Sequence, residues 1–289
     1  KEAWLEKIIP IAHENGIQIH AWMWTMPCND PNILAKHPEW YVVNRKGESA
    51  AEYPAYVSYY KFLCPRRPAV RKFVSERVAA LASISKLDGI HLDYVRMPDV
   101  ILAEGLQPKY DIVQDEEFPE YDYCYCDYCR NEYMEIAGID PLEIEDPASD
   151  ERWYQFRYQA VNDMVNQFLV PKAREKNKFI TAAVFPNWES VRQEWHQWDL
   201  DGFLPMLYHE FYNADIQWIG EEVKKAIVRL DNEKPVFAGL FMPHMNDEDL
   251  DQAYDIAKSN GAAGFALFAH SNLKDRDFEL LKKMTGKKE

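Results

Sequence analysis

Asp93, Tyr94 and Arg96 place an acidic, an aromatic and a basic side chain at the end of a short apolar run, in the sequence KLDGIHLDYVRMPD at residues 86–99. A brief aliphatic run bounded by turn residues is typical of a buried parallel strand. Barrel enzymes carry their chemistry on side chains at the carboxyl ends of such strands. A carboxylate at this position can serve as a nucleophile or a base. The alternative is that Asp93 caps the next segment or pairs with Arg96.

Three cysteines follow the spacing C-x-C-x2-C in the sequence YCYCDYCRNEY, at Cys124, Cys126 and Cys129. Thiolates this close in sequence cannot all pair with one another as disulfides, and their convergence is typical of tetrahedral Zn²⁺. For the fourth ligand we select Cys64, in FLCPRRPAVRKF, over Cys28. Four thiolates leave no position for water, so the predicted zinc is structural. The alternative is a set of disulfides in a secreted protein, with one cysteine left over.

Composition narrows the class of partner. Aromatic residues make up 14% of the chain, with 9 Trp and 17 Tyr, which fits a cleft that stacks flat ligands such as sugar rings. The formal net charge of −15 argues against a nucleic-acid partner, because phosphate binding requires a basic surface. We expect no membrane span, since no run of 18 apolar residues occurs, and no signal peptide is evident after Lys1.

Alternating strand and helix patterns predict a parallel sheet. We predict seven strands, which end near Trp24, Leu63, Asp93, Phe185, Tyr208, Met242 and Phe268. The 289 residues fit a single (β/α)8 TIM barrel over residues 1–289, with a cysteine-rich insertion at about 98–150. Its first strand would lie upstream of Lys1 or be missing, and long loops would follow the second, third and fourth strands. A doubly wound open sheet is the alternative, but no glycine-rich dinucleotide fingerprint follows any predicted strand.

The sequence LDG(I/F) occurs before two predicted strands, with its aspartates at Asp88 and Asp201. Each aspartate lies at the beginning of a strand, opposite the end that carries the polar residues. We therefore predict that Asp88 and Asp201 are structural.

The cysteine segments resemble the zinc-binding cysteines of family 42 β-galactosidases. Those enzymes have a Cys-Pro sequence before a helix and a C-x-C-x2-C motif in the loop after strand four. The resemblance implies that Cys64, Cys124, Cys126 and Cys129 are the zinc ligands. It covers only these two segments.

Three further motifs resemble the family 10 glycosylhydrolase-like group of TIM barrels: DGIHLDYVRMP, AAVFPNWES and WHQWDLDGFLPMLY, over residues 17–268. This similarity implies a glycosidase that acts on an oligo- or polysaccharide, and it favours a secreted or periplasmic location. The Asn-Glu pair of true family 42 enzymes is absent after strand four. Asp93 stands there instead, which resembles the strand-four nucleophile of α-amylase-like and α-galactosidase-like barrels and implies a retaining mechanism.

A retaining glycosidase needs a second carboxyl group about 5–5.5 Å from the nucleophile. Glu189 follows the strand that ends near Phe185, and Glu210 follows the strand that ends at Tyr208. We favour Glu210 slightly, because aromatic residues flank it in the sequence LYHEFY, and an aromatic setting favours the protonated form of a carboxyl group. The alternative for each glutamate is a solvated loop side chain.

Other side chains at predicted strand ends suit a sugar pocket. They are Trp22, Trp24, His91, Tyr94, Arg96, Trp188, Tyr208, His209 and His270. Two different functions remain as alternatives. A non-catalytic carbohydrate-binding barrel or pseudoenzyme would lack the paired acid. A metal-dependent barrel isomerase or hydrolase would use the histidines as ligands, although no H-x-H pair lies at the first strand end.

Overall fold

Parallel strands alternate with helices in the computed structural model, which describes residues 2–285. Within these residues the strands are β1 (His20–Trp24), β2 (Gly89–Asp93), β3 (Phe179–Val184), β4 (Gly202–Pro205), β5 (Phe237–Phe241) and β6 (Gly264–Phe268). The α-helices of the same residues are α1 (Glu2–Glu14), α2 (Pro31–Lys36), α3 (Pro68–Ala82), α4 (Asp127–Ala137), α5 (Glu151–Asp163), α6 (Val170–Arg174), α7 (Trp218–Arg229), α8 (Asp247–Ser259) and α9 (Asp275–Thr285). A π-helical segment, Met164–Leu169, joins α5 to α6. The predicted α/β class with parallel strands is confirmed.

The described residues fall into two compact units. The first comprises those of Lys1–Leu102, Ile112–Ala182 and Asn187–Asp201, and the second those of Ala103–Asp111, Ala183–Pro186 and Gly202–Glu289. Strands β1 and β2 belong to the first unit and β4, β5 and β6 to the second, while β3 begins in the first and ends in the second. The closed eight-stranded barrel over residues 1–289 stays a prediction.

In the first unit, β1 and β2 pair in parallel, and the register determines which side chains share a face. Trp22 is opposite His91, and Trp24 is opposite Asp93. Because side chains alternate along a strand, these four lie on one face of the sheet. The other face carries the buried apolar side chains Met23, Ile90, Leu92, Ile180 and Ala182. The polar face is the one that includes the predicted nucleophile.

The two Asp-Gly turns hold neighbouring segments by the same reciprocal pair of hydrogen bonds. The Asp88 N–H donates to the Ile19 carbonyl at 3.0 Å, and the Ile19 N–H donates to the Asp88 carboxylate at 2.7 Å. Asp201 and Ile180 make the same exchange at 2.9 and 2.8 Å. Both aspartates therefore have the structural role that the sequence predicts.

Replacing Asp201 with Ala is expected to lower the free energy of unfolding by about 1–3 kcal/mol, because the buried Ile180 N–H loses its carboxylate acceptor. Urea unfolding measures this change. Asp199→Ala is the matched control, since Asp199 pairs with Arg174 at 2.5 Å through side chains that are 55% and 44% exposed, and such surface pairs contribute about 0–1 kcal/mol. Equal losses in the two variants would contradict the role of Asp201.

The predicted strand over residues 59–63 is wrong. Phe62 forms an isolated antiparallel bridge with Pro27, and Leu63 forms one with Tyr41. The segment takes its hydrogen bonds from the chain that follows β1, where the Leu63 N–H donates to the Met26 carbonyl at 3.0 Å. An antiparallel segment of this kind does not take the place of a parallel barrel strand. Its aromatic composition predicts a strand, but its hydrogen-bond partners lie in the loop that precedes it and not in a neighbouring barrel strand.

In the second unit, β5 and β6 pair in parallel. Parallel bridges from Phe203 to Val236 and from Met206 to Gly239 place β4 beside β5. Buried apolar side chains of this sheet and of α7 and α8 form one core, which comprises Leu207, Ile219, Val223, Ala238, Leu240, Met242, Leu250, Ala253 and Ala257. Among residues 2–285, no helix is both long and apolar enough to cross a membrane.

Candidate functional site

Asp93 is the last residue of β2, and its carboxylate accepts two hydrogen bonds. The backbone N–H of Tyr94 donates to Oδ1 at 2.7 Å, and the indole N–H of Trp22 donates to Oδ2 at 3.0 Å. Tyr94 has a φ of 51°, which turns the chain sharply at the end of the strand. Burial raises the pKa of Asp93, and the two hydrogen bonds oppose this shift only in part. The carboxylate is therefore partly desolvated and held in a defined orientation.

Aromatic rings adjoin Asp93 in the same unit. The Trp24 ring lies 6.4 Å from that of Trp22 and 5.1 Å from that of Tyr94. Trp22 is 54% exposed, whereas Trp24 and Tyr94 are partly buried. An exposed indole beside a carboxylate suits the apolar face of a sugar ring. The structure thus brings four predicted site residues together.

Arg96 lacks the access to substrate that the sequence analysis expects. Its side chain is 2% exposed, and it donates to Asp99 Oδ2 at 2.9 Å and to the Tyr60 hydroxyl at 3.2 Å. Burial opposes its charge, but the Asp99 carboxylate raises the pKa of Arg96. The guanidinium lies 5.2 Å from the centre of the Tyr94 ring. These contacts argue against a substrate role and show that Arg96 supports the turn that follows Asp93.

Two other predicted sugar contacts, His91 and Trp188, are partly buried and pack against other side chains of the protein. His91 is half-buried, and its Nδ1 lies 2.9 Å from the Thr181 hydroxyl. Burial is the main reason that the pKa of His91 falls to about 4, so its imidazole is neutral at neutral pH. The Trp188 ring packs 5.2 Å from the rings of both Tyr158 and His196. A sugar contact by either residue stays a prediction.

Glu189 is exposed and lies in a short 3-10 helix, Trp188–Val191. The chain that follows Asp93 is hydrogen-bonded to this helix, because Met97 and Val100 donate their N–H groups to the carbonyls of its last two residues, at 3.0 and 2.8 Å. The segment that carries Glu189 is thus tied to the loop that begins at Asp93. The structure describes no direct contact between the two carboxyl groups.

A buried ionic cluster also holds the Glu189 segment in place. Arg192 is 2% exposed, and it donates to the Glu189 carbonyl at 3.1 Å and to the Glu117 carboxylate at 2.5 Å. Although burial opposes its charge, Glu117 and Asp122 raise the pKa of Arg192. Asp122 also pairs with the buried Arg157. The sequence analysis missed this cluster, because its members lie far apart in the chain.

In the second unit, Glu210 pairs with His244, which the sequence analysis did not select. Nδ1 of His244 lies 2.6 Å from Oε2 of Glu210, and their side chains are 40% and 51% exposed. The sequence-based preference for Glu210 depends on a sheltering aromatic setting, and this exposure removes that reason. His244 follows the apolar run 236–242, so its place at a strand end was the signal that could have identified it.

The other predicted residues of the second unit also lie at strand ends. The Tyr208 ring is 5.0 Å from that of Phe241. His209 begins the 3-10 turn His209–Tyr212, and His270 begins the turn His270–Asn272 after β6. Their positions agree with the predicted placement, and their roles as substrate contacts stay predictions.

Four cysteines of the first unit converge as the spacing predicts. The sulfur atoms of Cys64, Cys124, Cys126 and Cys129 all lie within 4.8 Å of one another. The Cys64 sulfur is 3.4 Å from that of Cys129 and 3.8 Å from that of Cys126. Tetrahedral zinc with bonds of about 2.3 Å separates its sulfurs by about 3.8 Å, whereas a disulfide bond is about 2.05 Å long. Each of the five cysteines is unbridged, so the geometry fits the metal and not the disulfide alternative.

The thiols of this cluster are buried, and the pKa of each of Cys124, Cys126 and Cys129 depends on the neighbouring cysteines. Burial raises the pKa of Cys124, and hydrogen bonding with Cys124 and Cys126 raises that of Cys129. Hydrogen bonds from its neighbours lower the pKa of Cys126. Four buried thiolates cannot coexist without a cation between them. A structural Zn²⁺ would supply that charge and link the segment of Cys64 to the loop of Cys124 and Cys126 and to α4, whose first turn includes Cys129.

A sequence profile of the family described as glycosyl hydrolase-like 10 matches residues 2–249. The chain belongs to this family, and the resemblance to that group is confirmed. No curated protein sequence matches the chain.

Two solved structures share the fold at low sequence identity. The PgaB (BpsB) glycoside hydrolase domain from Bordetella bronchiseptica is 14% identical, with a TM-score of 0.70 over 96% of this chain and 78% of that one. A chitinase from Rhizomucor miehei is 13% identical, with a TM-score of 0.50 over 99% of this chain and 87% of that one. These similarities concern the fold.

Proposed function

We propose that the protein is a retaining glycoside hydrolase that acts on an oligo- or polysaccharide within a (β/α)8 barrel, with Asp93 as its nucleophile. One observation carries the proposal: a partly buried strand-end carboxylate is oriented by two donors beside the exposed ring of Trp22. Membership of a glycosyl hydrolase-like family supports the reaction class. The fold, shared with a glycoside hydrolase domain and a chitinase, is compatible with it.

In this mechanism Asp93 attacks the anomeric carbon while a glutamic acid protonates the departing glycosidic oxygen. Water then attacks the glycosyl-enzyme ester, the same glutamate removes its proton, and the sugar leaves with its original configuration. The hydrogen bonds from Trp22 and Tyr94 hold the carboxylate in one orientation. Partial desolvation favours attack, because less water competes for the carboxylate oxygens.

Glu189 is our first choice for the acid/base residue, because its segment is hydrogen-bonded to the loop that follows Asp93. Glu210 is the alternative. A substrate with a good leaving group needs little help from an acid. The variant of the true acid will therefore retain more activity on a glycosyl fluoride than on an oligosaccharide, and comparing Glu189→Gln with Glu210→Gln identifies it.

The other assignments belong to the same proposal. Trp22, Trp24 and Tyr94 contact the sugar beside Asp93, with His91 and Trp188 as further contacts. Sugar contacts by Tyr208, His209 and His270 stay predictions from the sequence. The four clustered cysteines hold a structural Zn²⁺ that takes no part in the reaction.

The function is tested by incubating the protein with cello-, malto-, xylo- and chito-hexaose and following the products by NMR. Cleavage with retained anomeric configuration supports the proposal. Inversion would exclude a covalent nucleophile. Binding without cleavage by the zinc-loaded protein would favour the non-catalytic carbohydrate-binding alternative.

Replacing Trp22 with Phe is expected to move the acidic limb of the pH profile of kcat/KM to higher pH, by up to about one unit. The indole N–H stabilises the ionised form of Asp93, so its loss raises the pKa of Asp93, and a nucleophile must be ionised to act. The rate therefore falls at a higher pH as the medium is acidified. Trp24→Phe is the control, since that ring packs on Tyr59 and Tyr94. A shift of the basic limb instead would identify Asp93 as the acid.

A further inference from the structure

Tyr59 extends the aromatic surface beside Asp93, although it lies in the segment whose predicted strand is absent. Its ring is 5.5 Å from that of Trp24, and Trp24 is the register partner of Asp93. The Trp24 ring is also 6.4 Å from the Trp22 ring. These three rings, which we call the aromatic strip, follow one another without a gap. Asp93 adjoins the strip at Trp22.

The two ends of the aromatic strip are open to solvent. Trp22 is 54% exposed and Tyr59 is 39% exposed, whereas Trp24 between them is partly buried. Large aromatic side chains usually bury their rings against the core. A row of neighbouring rings with exposed ends suits a ligand that has successive apolar faces, as the consecutive pyranose rings of a glycan do.

The backbone holds the Tyr59 end of the strip in place. The side-chain amide of Asn29 donates to the Tyr59 carbonyl at 3.0 Å. The carbonyl of Lys61, two residues after Tyr59, accepts a hydrogen bond from the Cys28 N–H at 2.9 Å. A ring on a restrained backbone loses little conformational entropy when a sugar binds, so it contributes affinity efficiently.

We propose that Tyr59 forms a second pyranose-binding position next to the Asp93 site, so that the protein prefers glycan chains of two or more residues to single glycosides. This inference rests on the proposed glycoside hydrolase function. Trp22 would contact the sugar at the reacting bond, and Tyr59 would contact a neighbouring sugar in the chain.

The inference is tested by Tyr59→Ala with a glycosyl fluoride as the short substrate and the best hexaose as the long one. We expect KM for the hexaose to rise about 3- to 10-fold, with kcat/KM for the fluoride changed less than about twofold. A glycosyl fluoride has no aromatic leaving group that could itself occupy the Tyr59 position. Tyr59→Phe keeps the ring and should behave as the wild type. Tyr53→Ala is the matched control, because Tyr53 is 60% exposed.

In parallel, hexaose binding is measured for the Asp93→Asn variant and for the double variant that carries both Asp93→Asn and Tyr59→Ala. Weaker binding in the double variant supports the subsite even if the wild type cleaves no glycan, and in that case only the proposed catalysis fails. Cleavage with the same ratio of long-chain to short-chain efficiency in Tyr59→Ala overturns the subsite and leaves the proposed function standing. A protein that neither binds nor cleaves any of the four hexaoses overturns both.

Discussion

Asp93→Asn is expected to reduce turnover of the best glycan by roughly 10³-fold or more, because the amide cannot form the glycosyl ester. The side chain keeps its size, but its single carbonyl oxygen can accept only one of the two hydrogen bonds that Trp22 and Tyr94 donate to Asp93. The variant should remain folded, with the free energy of unfolding lowered by about 1–3 kcal/mol for the hydrogen bond that is lost. Burial raises the pKa of Asp93, so replacing this carboxyl with a neutral amide removes a desolvated charge and does not create one.

The matched control is Asp88→Asn, at the opposite end of the same strand. Asp88 accepts the Ile19 N–H at 2.7 Å and lies 2.9 Å from His13 Nε2. We expect this variant to lose stability and to keep its turnover per folded molecule. The assays are steady-state kinetics and urea unfolding on the same preparations. Retained turnover in Asp93→Asn would remove Asp93 from the mechanism.

Cys126→Ser is expected to abolish zinc binding and to lower the midpoint of thermal unfolding by about 10 °C or more. The wild-type protein should contain about one zinc per chain. Cys126 directly precedes α4, and its sulfur lies 3.8 Å from that of Cys64. Loss of the metal would leave the remaining buried thiols without the cation that joins two distant segments. Metal analysis and differential scanning calorimetry measure the two effects.

Cys28→Ser is the matched control, because Cys28 is also buried and unbridged but lies outside the cluster. This variant should keep its zinc, and any loss of stability should be the small cost of one buried thiol. Wild-type protein without zinc would contradict the metal assignment. An equal loss of zinc in Cys28→Ser would show that the ligands were chosen wrongly.

Local sequence patterns were sufficient for the strand that ends at Asp93 and for the cysteine cluster. An apolar run of strand length with turn residues at its start is a short-range signal. The C-x-C-x2-C spacing similarly brings three sulfurs together within a single loop and the first turn of α4. The Asp-Gly turns at Asp88 and Asp201 belong to this group, since a carboxylate beside a strand start has few partners other than backbone N–H groups.

Long-range packing decided the remaining features. The aromatic residues at 59–63 have high strand propensity, but their hydrogen bonds go to segments around residues 26–28 and 41, and propensity cannot specify such partners. Arg96 follows Asp93 closely in sequence, yet Asp99 and Tyr60 hold it in the interior. A charge can be buried only where a partner compensates it, and a sequence pattern does not show whether that partner is present.

The sequence by itself determined the parallel α/β class, the strand-end position of Asp93 and the convergence of Cys124, Cys126 and Cys129, because these depend on periodicity and short spacing. Only the tertiary structure decided that Trp22 donates to Asp93, that Tyr59 lies beside Trp24, and that His244 pairs with Glu210. Each of these contacts joins residues that are distant in the chain. Their geometry follows from strand register and loop packing, which local residue preferences do not encode.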